Sequence, residues 1–437
     1  MPEPTAPVRS ESLASWLGLN RSTLAVLVVI GGLGLAEEVW KPFMPLHLKD
    51  AARQLLPPER AGDALLEAVK YTAILAFLVN LLEGFGYIIG GTVAHRMGPR
   101  IALALSALPM LIGFTILLLT RQPWAIVCGG LLLTNWEPLS VPATFDVVGS
   151  EVPKNRRTIA FAVQSIQKRV PKMLGPWSGG LLLGIGFFLN LWVALGLVVL
   201  AVVLQAVLLP RMQPKEEPRP TALRQVLRQM PPDLRALLTA EIFLRWGDWF
   251  IRDFSVLYVV SVLNRSEREA GFLLGLTSFA ALVTYIPVGK LVDRAASPKP
   301  FIGLTFFLFA LFPLNMVLLP WVSSSLHLPL MAALVVVFVL NGLRELGEPA
   351  RKALISSSFP KEYRARAVGL YWGMRSFAFC VSPLVAWLLW EELGPKNMFL
   401  IGGAIGMLGT AWFWLRVRGT GVSPVGANAA PPSGTFP

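Results

Sequence analysis

Val141-Pro-Ala-Thr-Phe-Asp-Val-Val-Gly-Ser-Glu-Val-Pro-Lys154 recurs 207 residues later as Glu348-Pro-Ala-Arg-Lys-Ala-Leu-Ile-Ser-Ser-Ser-Phe-Pro-Lys361. Pro142 meets Pro349, Pro153 meets Pro360 and Lys154 meets Lys361; further on, Arg157 meets Arg364, Ala160 meets Ala367, Lys168 meets Arg375 and Pro176 meets Pro383. Earlier in the chain, a shift of 211 sets Phe43-Met-Pro-Leu-His-Leu on Phe254-Ser-Val-Leu-Tyr-Val. Self-similarity at nearly half of a 437-residue chain reads as a duplicated unit.

Composition names the solvent in which that unit folds. Hydrophobic residues make up 54% and charged residues only 15% of the chain, and the mean hydropathy is +0.60. A bilayer core needs about 20 mainly apolar residues per helix. Twelve stretches qualify: 23–46, 70–94, 101–119, 124–149, 158–183, 186–209, 236–262, 270–288, 301–319, 329–347, 366–390 and 398–415. Lys and Arg concentrate on alternate loops, at Arg96/Arg100, Lys154/Arg156/Arg157, residues 211–235, Arg294/Lys299, residues 351–366 and Arg416/Arg418. The positive-inside rule puts those loops and both termini in the cytoplasm. The net charge of +13 is thus a statement about orientation, and no nucleic-acid partner is called for.

Enzyme chemistry lacks its minimum parts. Cys128 and Cys380 lie far apart in apolar runs, and His47, His95 and His327 have no ligand spacing, so no metal site or cofactor is expected. HExxH, GxSxG and P-loop patterns do not occur. Residues 1–21 are polar and Pro-containing, without the order of a cleavable signal, so the first span is expected to direct insertion.

Between the second and third spans, Gly91-Thr-Val-Ala-His95-Arg96-Met-Gly98-Pro-Arg100 has the spacing of the loop motif Gly-x-Leu-Ala-Asp-Arg-x-Gly-Arg-Arg, and Gly289, Asp293 and Arg294 repeat it after the eighth span. On these residues, and over nearly the whole chain, the sequence resembles the major facilitator superfamily (MFS). The resemblance implies an all-α membrane protein with twelve transmembrane helices in two pseudo-symmetric six-helix bundles, and a loop that latches their cytoplasmic ends. His95 replaces the motif Asp, which weakens that latch or lets it respond to pH near neutrality; the plainer reading is a histidine at a wet helix end. In the fifth span Gly175, Pro176, Gly179 and Gly180 resemble the core of the family's antiporter motif. Ala162 and Pro171 stand where its two earlier glycines belong, and Gly130 where drug/proton antiporters carry an arginine.

Ionisable groups at bilayer depth are expensive and usually face a polar interior. In the seventh span Glu241, Arg245, Asp248 and Arg252 fall at i, i+4, i+7 and i+11, one stripe of alternating sign. The 211 shift sets Glu37 opposite Asp248 and Lys41 opposite Arg252, and the 207 shift sets Glu137 opposite Arg344. Arg344 and Glu348 are spaced as an i, i+4 pair, with Glu345 adding acidity. In the fifth span Gln164, Lys168 and Lys172 share a face with Arg169 turned away by about 100°. Lys168 lies about 16 Å past Arg157, near mid-membrane, and Arg375 at matching depth. Trp136 and Trp246 adjoin charged positions and are placed to stack on a ligand. The competing reading is structural: intramembrane ion pairs that hold the bundles together.

These readings converge on a monomeric secondary active transporter in a bacterial inner membrane. Its parts are residues 1–22, an N-terminal bundle at 23–209, a linker at 210–235, a C-terminal bundle at 236–416 and a tail at 417–437. Expected partners are the lipid bilayer, a small anionic or zwitterionic solute and a proton. Glu37 and Asp248 are the candidates for proton coupling, and Lys168, Arg245, Arg344, Arg375, Glu137, Trp136 and Trp246 for substrate. A drug/proton antiporter is the alternative, and a non-transporting assembly factor or sensor a more distant one.

Overall fold

The computed structural model describes residues 21–134, 157–208, 228, 230–295, 297–358 and 364–417. The helices among them are α1 Arg21–Trp40, α2 Met44–Leu55, α3 Ala64–Leu119, α4 Pro123–Thr134, α5 Arg157–Leu183, α6 Phe187–Leu208, α7 Pro232–Trp249, α8 Glu267–Arg294, α9 Lys299–Ser325, α10 Leu330–Leu343, α11 Glu348–Ser357, α12 Arg364–Phe379 and α13 Ser382–Arg416. No strand occurs among the described residues. Large apolar side chains face outward, including Leu119 (81% exposed), Trp192 (59%) and Val207 (73%). A surface of that kind suits lipid rather than water. Four helical stretches, Pro58–Tyr87, Phe188–Leu208, Lys299–Ser325 and Ala367–Arg416, are long and apolar enough to cross a membrane by themselves.

The sequence-defined spans do not map one-to-one onto these helices, because chain breaks and reversals fall inside them. The second and third spans form the single helical run α3. That run must double back: the rings of Tyr71, near its start, and Trp124, just beyond its end, are 5.2 Å apart, whereas a straight helix would separate them by about 80 Å. Similarly, α13 contains the reversal between the last two spans at Gly394 (φ 80°), a left-handed conformation that glycine adopts without a Cβ penalty, followed by Pro395.

Three breaks position the site. The first span stops at Trp40, passes through a 3-10 turn at Lys41–Phe43 and resumes as α2; Pro42 brings no N–H to the helical ladder. The seventh span stops at Trp249 and resumes at Ser255–Leu257 with a wider turn at Tyr258–Val262. Phe43 and Phe254, which end the two breaks, are the residues that the 211 shift equates. In the tenth span the break runs from Arg344 to Gly347, where the Gly347 N–H donates to Thr305 Oγ1 at 2.7 Å. Apolar rings close around these breaks: Trp40, Phe43, Phe250, Phe254 and Tyr258 are all fully buried.

At the start of α8 the Ser266 N–H donates to Glu269 Oε2 at 2.8 Å, and the Glu269 N–H donates to Ser266 Oγ at 3.2 Å, a reciprocal cap. That N–H holds the Glu269 carboxyl below its ordinary value of 4.5. Because the folded value is depressed, the contribution is present above the ordinary value and fades as pH falls through the folded one. Ser266→Ala is expected to lower stability by about 1 kcal/mol, read as a lower unfolding temperature in detergent at neutral pH, with the difference from wild type shrinking in acid.

Candidate functional site

The breaks in the first and seventh spans face a two-lobed cavity. The smaller lobe, about 230 Å³, lies between the Lys41–Phe43 turn, α3, α5 and the residues following Trp249. The larger, about 540 Å³, lies between α5, α7, α8, α10, α11 and α12. Glu38, Pro42, Lys168, Lys172, Arg252, Ser255 and Leu274 line both and form their junction. Across the two lobes the described lining residues include ten bases and seven acids, so the cavity favours negative charge.

Most of these charges are paired. Lys41 Nζ is 2.7 Å from Glu37 Oε1. Asp248, 1% exposed, lies between Arg344 Nη1 at 2.7 Å and Arg245 Nη1 at 3.3 Å. Both guanidinium groups also rest on the Phe309 ring, at 4.2 and 4.7 Å. Arg351 ties α7 to α11, with Nη1 2.5 Å from Glu241 Oε1 and Nη2 2.6 Å from Glu348 Oε2. Arg375 Nη1 on α12 reaches the other oxygen of Glu241 at 3.2 Å. Arg169 Nη2 on α5 meets Glu345 Oε2 at 2.5 Å, an ion pair between the two halves of the chain.

Glycines bring α5 against its neighbours. A β-carbon at Gly179 would strike Val39 O, and one at Gly175 would stand 2.5 Å from Glu38 Cβ. On the other side, a β-carbon at Gly180 would stand 2.6 Å from Glu267 O and one at Gly271 would strike Pro176 O. The Gly-Pro-x-x-Gly-Gly segment therefore packs α5 at once on the first span and on α8. Asn190 Nδ2 on α6 donates to Val39 O at 3.1 Å and Gly179 O at 3.2 Å beside that seam. Nearby, Lys49 Nζ donates to Ser261 Oγ at 2.9 Å, joining the extensions of the first and seventh spans.

Among the sequence candidates, Glu37, Lys168, Asp248, Arg245, Arg344 and Arg375 all line the cavity. Several expectations need correction. Arg344 and Glu348 do not pair with each other, because the chain leaves the helix between them; Arg344 takes Asp248 and Glu348 takes Arg351. Arg169 is not turned away but borders the larger lobe. Trp246 does not line either lobe: its Nε1 donates to Ala378 O at 2.8 Å, and its carbonyl accepts from Ser382 Oγ at 2.9 Å, so it fastens α7 to the α12–α13 break. Glu83 accepts from Tyr87 Oη at 2.7 Å and borders the smaller lobe. Trp136, Glu137 and Asp146 lie outside the described residues, as do the side chains of Gln164, His95, Arg96, Arg100, Asp293 and Arg294; Gly91, Gly98 and Gly289 fall on described helical backbone.

Glu38, Arg351 and Lys352 were not singled out from the sequence. Glu38 neighbours Glu37 and only the rotation of α1 decides which faces the junction. Arg351 follows the 344–347 break, where helical phase cannot be carried over from α10.

The family model described as Major Facilitator Superfamily matches residues 61–262 and again 237–436. The "Multidrug resistance protein MdtG" of Escherichia fergusonii is 22% identical over 424 residues, covering 94% of this chain and 98% of that protein. Its counterpart from Citrobacter koseri is 23% identical over 397 residues, 88% of this chain and 92% of that protein. Among solved structures, a POT family transporter in complex with 5-aminolevulinic acid superposes with a TM-score of 0.70 at 15% identity, covering 91% of this chain and 96% of that one. The nucleoside transporter NupG gives 0.70 at 12% identity, over 91% and 100%. With the family model matching both halves and the helical architecture shared with solved transporters of this type, the chain belongs to the major facilitator superfamily.

Proposed function

We propose that the protein is a secondary active transporter that carries a small anionic or zwitterionic solute by alternating access, coupled to protons. Two six-helix bundles, 23–209 and 236–416, rock about the central cavity, with the 210–235 linker and both termini in the cytoplasm of a bacterial inner membrane. The observation that carries this reading is the excess of bases over acids on a cavity at membrane depth.

Coupling arises by competition for cations. A solute acid group that takes Lys41 from Glu37, or Arg344 from Asp248, removes a compensating cation from a desolvated carboxylate, although Asp248 keeps Arg245. Such a carboxylate is driven to accept a proton. Solute binding and proton uptake are thereby linked. In proteoliposomes an inward proton gradient is expected to accelerate uptake, and Glu37→Gln to remove that acceleration while solute exchange across the bilayer persists. Gradient-driven uptake that survives in Glu37→Gln would count against the coupling.

Drug/proton antiport is the second reading. It is favoured by the Gly175 to Gly180 segment and by the name of the MdtG relatives, multidrug resistance protein. Its sign in the same assay is proton-driven movement of lipophilic cations.

A further inference from the structure

The charged side chains around the cavity fall into two groups. One group is occupied, most of its members held in ion pairs within the protein. The other is not: among the described residues Lys352 on the larger lobe, and Glu38, Lys172, Arg252 and Asp253, make no side-chain hydrogen bond or ion pair; the last four border the smaller lobe, and Glu38, Lys172 and Arg252 also border the larger. A charge held at membrane depth without a hydrogen bond or ion pair in contact is costly and calls for a reason.

Packing holds these groups in place. The stem of Glu38 lies against α5 at Gly175, where even a β-carbon would be only 2.5 Å from Glu38 Cβ. Lys172 is three residues earlier on the same helix, hence one turn away on an adjoining face. Arg252 sits in the break of the seventh span with its guanidinium 4.5 Å from the Trp249 ring. An acid and two bases are therefore presented together at the junction with no direct ion pair among them.

The two lobes differ in sign. The smaller carries acids and bases in equal number, with Glu37, Glu83 and Asp253 near Glu38. The larger is dominated by bases, Arg169, Arg245, Arg344, Arg351, Lys352 and Arg375 among them. A plain anion at the junction meets Glu38, with Asp253 beside it in the smaller lobe, and a plain cation meets Lys172 and Arg252. Only a solute with both signs satisfies both, and a site of this kind rejects a solute that leaves one of its polar groups unpaired.

We infer that the lobe junction is a two-ended recognition site for a zwitterionic amino acid-like solute, whose acid group is taken by Lys172 and Arg252 toward the larger lobe and whose protonated amine is taken by Glu38 toward the smaller. This rests on the transporter reading above for its purpose but not for its test. The purified protein in detergent is titrated with ω-amino acids from glycine to 6-aminohexanoate, and with the alkanoate and the alkylamine of each length. The expected result is that one or more of the ω-amino acids binds about tenfold or more tightly than either single-charge analogue, the size of one charge-assisted hydrogen bond. Lys172→Gln weakens the amino acid and the alkanoate together, and Lys172→Arg restores both, which a folding defect would not do. Glu38→Gln brings the amino acid down to the level of the alkanoate without weakening the alkanoate. Equal binding of amino acid and alkanoate by the wild type, a preference for the alkylamine, or no binding of any length at millimolar concentration overturns the inference. Exchange of the same probes across proteoliposomes separates the two claims. Alkanoate transport without amino-acid preference leaves the transporter and removes this site, whereas amino-acid binding without exchange does the reverse.

Discussion

Arg351→Met is expected to destabilise the protein by about 3–5 kcal/mol, the range for removing one partner of a buried ion pair. Arg351 is 3% exposed and Glu241 1% exposed, so neither is compensated by water. Without Arg351, Glu348 loses its 2.6 Å partner and Glu241 keeps only Arg375, at 3.2 Å. Two buried carboxylates are then left with a single direct ion pair between them, and α11 loses its tie to α7. The measurement is thermal unfolding of the detergent-solubilised protein. Glu241→Gln combined with Arg351→Met is expected to recover much of the loss, because it removes one of the acids that Arg351 compensated. An unchanged unfolding temperature in the single variant would show that the network is dispensable.

Gly271→Val is expected to act on transport more than on stability. Its β-carbon would strike Pro176 O and stand 3.1 Å from Gly180 Cα, so α5 and α8 must separate at this point. Overpacking of this kind costs about 1–3 kcal/mol. Because the contact joins the two halves, the cost falls on conformations in which they touch there. That corresponds to about a five- to hundredfold shift between conformations, and transport is expected to fall accordingly while the unfolding temperature moves less than in Arg351→Met. Gly196→Ala is the control, since nothing lies within 4 Å of a β-carbon there. A Gly271→Val protein that transports at the wild-type rate would mean that this seam does not open and close.

The residues that the sequence made legible are those whose position depends on repeat and composition. The 211 shift equated Phe43 with Phe254, and these end the two helix breaks that face the cavity. What sequence could not give is rotation about a helix axis beyond a break. The i, i+4 spacing of Arg344 and Glu348 assumes one straight helix, but residues 344–347 leave it, and each side chain finds a different partner. The wheel turns Arg169 about 100° from the face of Lys168, whereas its partner, Glu345, belongs to the other half of the chain. Trp246 shows the same limit: proximity in sequence to charges says nothing about a hydrogen bond to Ala378 O. Long-range pairing of this sort depends on how the two halves of the chain meet, which no local period encodes.

The most direct test of a charged transport path is the initial rate of solute uptake into proteoliposomes by the wild type and by Lys172→Gln/Arg252→Gln, with anionic, zwitterionic and lipophilic cationic solutes offered in parallel. The account predicts saturable uptake of anionic or zwitterionic solutes by the wild type and its loss in the double variant. Uptake of lipophilic cations alone, unaltered by removing these two of the cavity's bases, would contradict it.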